Sequence, residues 1–243
     1  FNHGVINGGV TIEDGAMVFD GIDDYVNISH NDSLVNNEMT WGFWVKRNSY
    51  GSLGGFISKY GLGANERGWG IHQSSLSNSQ LSIVVSADGA TGQEIHSSTG
   101  LLSNDVWIYI NVTYNAGVIK FYRNGVQYGT TQTSTQTSIY NNSTVNVNLG
   151  RRINVYFDGS LDDVQIYNRA LTSDEIQAQY ESGRGSYALS GDGLVAQYSG
   201  RDYNATHILD TNPVVEGATE NTAQGKRFDG TNEHINAIRP SLD

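Results

Sequence analysis

Along this chain, apolar residues recur at every second position far more often than at helical spacing. In "MTWGFWVK" Met39, Trp41, Phe43 and Val45 alternate with Thr40, Gly42, Trp44 and Lys46. Period two puts the first set on one face of a strand, so that face is expected to be buried. "GGFISKY", "GWGIHQ" and "LSIVVS" read as further strands, the last pointing Leu81, Ile83 and Val85 to one side. The clearest unit is "VWIYINVTYNAGVIKFYRNGVQYG". Val106, Ile108, Ile110, Val112 and Tyr114 make one face, Asn115-Ala116-Gly117 turns the chain, and the returning strand ends at Asn124-Gly125. Asn-Gly is a strong hairpin signal because both residues accept positive φ. "VNVNLGRR" and "LDDVQIYNR" complete the strands.

A single helix is expected, in "LTSDEIQAQYESG". Thr172 and Glu175 form a capping box, Ile176 and Tyr180 lie one turn apart, and Gly183 supplies a stop. Its short length suits packing on an edge of the sheets. Parallel α/β architecture needs a helix between successive strands, and the pattern offers none. The expected fold is all-β: an antiparallel two-sheet β-sandwich with one short terminal helix.

Composition refines this picture. Only 37% of the 243 residues are hydrophobic, yet fourteen Tyr and four Trp supply a core, since aromatic side chains bury much surface each. The formal charge of −11 repels phosphate backbones, so nucleic acid is not an expected partner. The absence of cysteine excludes disulfides and thiolate chemistry. No apolar run reaches the roughly 18 residues of a membrane span, so no membrane insertion is expected. "FNHGVINGG" has no Met and no basic or apolar signal segment, and reads as an internal cut.

One unusual phrase occurs twice, as "FDGIDDYVNI" (19–28) and "FDGTNEHINA" (228–237). Aligning Phe19 with Phe228 puts Asp20 on Asp229, Gly21 on Gly230, Asp24 on Glu233 and Val26 on Ile235. The chain thus carries two beginnings of one kind of unit. The expected organisation is a first domain at 1–183 lacking its opening strand, a linker at 184–192, and a truncated second repeat from 193 to 243.

These phrases, in order with "MTWGFWVK", the long hairpin and "GSLDDVQIYNRALTSDEIQAQY", resemble the laminin-G-like domains of the concanavalin A-like lectin/glucanase superfamily, in their bacterial, archaeal and phage forms. The resemblance implies a jelly roll that meets ligands on its concave sheet or rim loops. It implies a structural calcium where the Asp20–Gly21 edge meets Asp162, since calcium takes carboxylate and carbonyl oxygens. The same aspartates equally suit turn capping by hydrogen bonds to backbone amides. The resemblance also makes neighbours of two loops, "KYGLGANERGWG" and "GRRINVYFDG". The first brings Tyr60, Asn65, Glu66, Arg67 and Trp69, and the second Arg151, Arg152, Asn154 and Tyr156. Aromatic faces with planar amide, carboxylate and guanidinium groups suit a sugar, although such residues also fill ordinary polar loops. In this family the opening strand pairs with the one before the terminal helix. The edge at Val164–Tyr167 is therefore expected to be covered by chain upstream of Phe1, in preference to "LVAQYS" at 194–199.

Catalysis finds less support. Superfamily glucanases set carboxylates on alternate strand residues, and no Glu-x-Asp-x-Glu occurs here. The histidines are scattered and no Gly-x-Ser-x-Gly elbow exists. Glycosylation sequons stand at Asn27, Asn31, Asn111, Asn141, Asn142 and Asn204. The expectation is a non-catalytic module of an extracellular, cell-surface or virion-surface protein, with a glycan and neighbouring domains of a longer chain as partners. A structural decoration domain acting through protein contacts is the alternative.

Overall fold

The structure is a computed structural model that describes residues 3–48, 54–185, 192–204 and 207–210. Among them, β1 (Gly4–Asn7), β2 (Thr11–Glu13), β3 (Ala16–Asp20), β4 (Tyr25–Ile28) and β5 (Glu38–Arg47) open the chain. A meander follows: β6 (Gly55–Tyr60), β7 (Arg67–Gln73), β8 (Leu81–Val85) and β9 (Gln93–His96). Then come β10 (Ile108–Asn115), β11 (Val118–Arg123), β12 (Val126–Gln127), β13 (Gln132–Thr133) and β14 (Val147–Leu149). A small hairpin, β15 (Arg151–Arg152) and β16 (Val155–Tyr156), precedes β17 (Asp158–Tyr167) and α1 (Ser173–Ser182). The last elements are β18 (Leu194–Asn204) and β19 (His207–Asp210).

Every strand pair is antiparallel, and the strands form two layers. One layer runs β11–β10–β5–β17, with β3 bordering the first half of β17 and β18 the second. The other runs β9–β8–β7–β6–β14–β4–β1–β19. β18 and its partner β19 carry the hydrogen bonding from one layer to the other. The expected sandwich and helix are both present.

The core lies between the layers and takes the face that alternation assigns. Trp41, Phe43, Ile83, Ile108, Ile110, Ile119 and Phe121 are all buried. Trp41 packs on Trp69 with ring centroids 5.0 Å apart, and Phe56 meets Phe157 edge-on at 5.0 Å. Burying such side chains is worth about 1.5–3 kcal/mol each, which is how a chain poor in aliphatics holds two sheets together.

The helix lies over the outer face of the first layer, where an edge position was expected. The capping box forms as read: Thr172 Oγ1 accepts from the Glu175 amide, and Glu175 accepts from the Thr172 amide. Tyr180 stacks near Trp44 and Tyr109, at 5.7 and 6.3 Å. Gln179 accepts a hydrogen bond from the Tyr109 hydroxyl (2.9 Å) and donates to that of Tyr167 (2.6 Å). Gly42 makes room here, since a Cβ at that position would stand 2.5 Å from Asn111 Nδ2. Asn111 and Asn142 are buried, so neither sequon is open to a glycan in the folded chain.

The edge of β17 is covered differently from expectation. Val164, Gln165, Ile166 and Tyr167 pair with Tyr198, Gln197, Ala196 and Leu194 of β18. The tail of this same chain, and not a segment upstream of Phe1, supplies the missing strand. An open edge offers a row of free amides and carbonyls, and the alternating segment within reach satisfies them. The expected second repeat falls mainly on 211–243, outside the described residues.

Candidate functional site

Two regions collect the residues singled out by sequence, and they differ in kind. The first is the acidic one. β17 pairs with β3 so that Asp158 stands opposite Asp20 and Leu161 opposite Met17. Asp158, not Asp162, is therefore the neighbour of Gly21, whose added Cβ would lie 2.9 Å from the Asp158 Cβ. At about 3.3 Å per residue, Asp162 lies roughly 13 Å further along the strand. There its fully buried carboxylate accepts from Arg184 Nη1 (3.1 Å), Arg201 Nη1 (3.2 Å) and Ser199 Oγ (2.8 Å). Two guanidiniums and a serine hydroxyl thus surround the Asp162 carboxylate. The set Asp20, Gly21 and Asp162 is not brought together, because the strand register separates its ends.

The opening phrase instead clamps a turn. Asp24 is buried and accepts from the amides of Gly9 and Asp20, while Asp20 accepts from the Ile22 amide at 2.8 Å. Asp20, Asp23 and Asp24 each place a carboxylate oxygen within 4.8 Å of the others. Carboxylate oxygens are what calcium takes. Both Asp24 oxygens are already engaged by the backbone, however, and no buried carboxylate oxygen of the trio lacks a partner. The trio reads as a turn clamp.

Asp162 and Asp163 sit where β3 hands over to β18 along the edge of β17. The ladder with β5 shifts register there, and Asp163 adopts a φ of 45°. Asp163 accepts from the Gly185 amide and lies 3.7 Å from Arg201 Nη1. Burial, then the charge of Asp162, pushes its carboxyl up to about 7. Arg184 also stacks 4.5 Å above the Trp107 ring. Two carboxylates and two arginines thus tie the tail of the chain to the sandwich.

The second region is the β15–β16 hairpin, folded over the outer face of the second layer. Ser58 donates to the Arg151 carbonyl at 2.7 Å. Gly55 lets the hairpin lie close, because a Cβ there would stand 2.4 Å from the Arg152 Cβ. Arg151 holds its guanidinium carbon 4.4 Å above the Tyr25 ring and 5.9 Å from that of Tyr156. Those rings are 6.3 Å apart and tilted by 45°. Arg152 lies 5.0 Å over the Tyr60 ring, and the cross-strand partner of Tyr60 is Arg67. Asn154, at the turn, is exposed.

Arg151, Arg152, Asn154, Tyr156, Tyr60 and Arg67 are therefore brought to one neighbourhood. Asn65 stands in its own exposed turn, where its carbonyl accepts from Asn142, and Glu66 folds back to accept the Gly63 amide. Trp69 is fully buried against Trp41 and donates its indole N–H to the Leu34 carbonyl at 3.1 Å, so it is core. Tyr25 was missed. Its signal was present: Val26 and Ile28 face the core, so Tyr25 and Asn27 must face out.

The same outer face continues as a polar lattice. Asn27 donates to Asn148 (3.1 Å) and accepts from Asn146 (2.8 Å). His72 meets Glu94 at 2.8 Å, and His96 Nδ1 lies 2.7 Å from Ser82 Oγ. Burial lowers the His72 pKa, and the hydrogen bond from His72 is the main reason Glu94 is held down at about 2. A neutral imidazole donating to a carboxylate meets both conditions.

A family model described as the concanavalin A-like lectin/glucanases superfamily matches residues 20–177, and the chain belongs to that superfamily. Solved structures with the same fold include the receptor-binding domain of botulinum neurotoxin C/D mosaic serotype, at 16% identity and TM-score 0.56. The alignment covers 73% of this chain and 45% of that domain, so the chain spans less than half the length of this toxin domain. The serotype D ligand-binding domain, in complex with N-acetylneuraminic acid, matches with the same identity, TM-score and coverage. Domain 4 of AbnA, an extracellular arabinanase from Geobacillus stearothermophilus in complex with arabinotriose, matches at 20% identity and TM-score 0.55, over 71% of this chain and 81% of that one. At these identities the likeness concerns the fold. A search of curated proteins finds no match. No helix among the described residues is long and apolar enough to cross a membrane.

Proposed function

We propose that this chain is a non-catalytic carbohydrate-binding module of an extracellular or surface protein. The observation that carries the reading is the Tyr25–Arg151–Tyr156 platform on the outer face that the helix leaves free. The Tyr156 ring, less closely covered by Arg151, offers an apolar surface to a sugar C–H face, Tyr25 supports the arginine, and Asn154 and the arginine offer hydrogen bonds to hydroxyls. Binding domains among the structural neighbours support the class, since one was solved in complex with N-acetylneuraminic acid and another in complex with arabinotriose. Support for a non-catalytic role comes from how the carboxylates are spent. Asp24 is held by backbone amides, Asp162 and Asp163 by arginines, Glu94 by His72, and Glu175 by Arg169 and the helix cap.

The test is a glycan array probed with the whole chain, followed by calorimetry on the best ligand with Tyr156→Ala and Tyr25→Ala. Each substitution is expected to weaken binding about tenfold, or ~1.4 kcal/mol. Saturable binding to no glycan, with self-association or capture of protein surfaces in its place, would instead support a decoration role.

A further inference from the structure

Resting on the carbohydrate reading above, we infer that the sugar bound at this face carries an anionic group, a carboxylate or a sulfate, received by Arg151 and Arg152. With 25 acidic residues against 14 basic ones, an arginine of this protein has carboxylates in excess to pair with. Arg169, Arg184 and Arg201 do pair, with a carboxylate oxygen within 4.0 Å. Arg47 and Arg123 spend their N–H groups on amide, carbonyl and hydroxyl oxygens. Arg67, Arg151 and Arg152 have no ion pair among the described residues. Arg151 gives one hydrogen bond, from Nε to the Ile153 carbonyl at 2.6 Å. Arg152 and Arg67 give none from the guanidinium, and the Nε of each is shut off from solvent without a partner.

The Nη groups of Arg151 and Arg152 make no hydrogen bond among the described residues, so these are the donors that a ligand oxygen would meet. The carboxylates of the same face are already committed: Asp24 to amides, and Glu94 to His72, so that Glu94 acts on Arg152 only through space. Geometry then selects the ligand chemistry. A guanidinium held over a tyrosine ring by its carbon can still present its terminal Nη pair, and that pair matches the paired oxygens of a carboxylate or sulfate. Stacking also orders the arginines before the ligand arrives, so less entropy is lost on binding. Neutral hydroxyls would need only the amides and hydroxyls this face already has in number, and would leave the arginines unmet.

The experiment compares matched pairs of ligands on the intact chain by calorimetry: sialyllactose against lactose, tetragalacturonate against its methyl ester, and a sulfated oligosaccharide against its desulfated form. The acidic member is expected to bind at least tenfold more tightly, and the first two pairs against the third separate carboxylate from sulfate. Arg151→Gln and Arg152→Gln should each remove most of that preference, read as the ratio of acidic-member to neutral-member affinity in the same variant. Should a glutamine variant unfold, Arg151→Lys and Arg152→Lys keep the charge but lose the planar fork, and a several-fold loss is expected from each. Equal binding of both members, or a preference untouched by the arginine variants, overturns the anionic inference while leaving a carbohydrate module standing. Binding of neither member in any pair, with no glycan found on the array, overturns both.

Discussion

Two pairs of arginines in this protein meet opposite fates. Arg184 and Arg201 reach into the handover point of β17 and pair with the buried Asp162, with Asp163 beside Arg201. Arg151 and Arg152 lie on tyrosine rings at the surface of the other layer, with no carboxylate against them among the described residues. The same side chain thus serves as an internal tie in one place and as an open donor in the other. What separates them is the backbone around each pair. A bulged strand edge leaves a gap that charged side chains can fill from within, whereas a short hairpin laid over Gly55 sets its arginines on tyrosine rings. The lesson is that charge in an acidic chain is best judged by its partners, since net charge alone would have predicted a surface indifferent to anions.

The sharpest way to break this comparison is to remove the tail that carries the first pair. A chain ending at Gly185 loses β18 and Arg201 together, exposing the β17 edge and stranding two buried carboxylates. It is expected to aggregate or to lose its cooperative thermal transition. A monomeric 1–185 chain melting within a few degrees of the full chain would show that the tail is an ornament.

A smaller intervention removes one partner. Asp162→Ala leaves Arg184 and Arg201 facing an apolar gap, and taking one member from a buried charge cluster costs about 3 kcal/mol. For a domain of this size that corresponds to a fall of roughly 6–12 °C in melting temperature by calorimetry. A change below about 2 °C would mean the arginines find water instead.

The third prediction concerns pH. Burial raises the Asp163 pKa, up to about 7, so the folded protein holds that proton more tightly than the unfolded chain. Its contribution to stability is then fully present below about pH 4 and is lost as pH rises towards 7. Asp163→Asn removes that dependence. The variant should match the parent near pH 4 and exceed it by roughly 1–2 kcal/mol near pH 8, measured by urea unfolding at both. A variant weaker than its parent at the higher pH would show that Arg201 keeps Asp163 ionised.

The smallest effect belongs to the second pair. Arg151→Gln with Arg152→Gln should shift stability by under about 0.5 kcal/mol, because neither arginine ties elements of the fold together through a carboxylate. A loss comparable to that of Asp162→Ala would make the hairpin arginines structural too, and erase the contrast.

Alternation alone placed Trp41, Phe43, Ile108 and Ile110 in the core, and the capping box alone placed the start of α1 at Thr172. These are local matters: a strand turns its side chains by period two whatever it pairs with, and a cap is settled within three residues. The same reasoning could have exposed Tyr25. Lys59 shows where it stops, for its buried ammonium, with a pKa lowered by desolvation to about 8, is met by the carbonyls of Asn142 and Val145 on a distant loop. Asp162 shows it more strongly. Its partners lie 22 and 39 residues away, and whether they are arginines or a calcium ion depends on register, on one bulge and on which strand closes the edge. Sequence determined the strands, the core faces and the family. Which charges meet, and which are left to meet a ligand, was decided by the tertiary structure, because opposite charges attract through space and not along the chain.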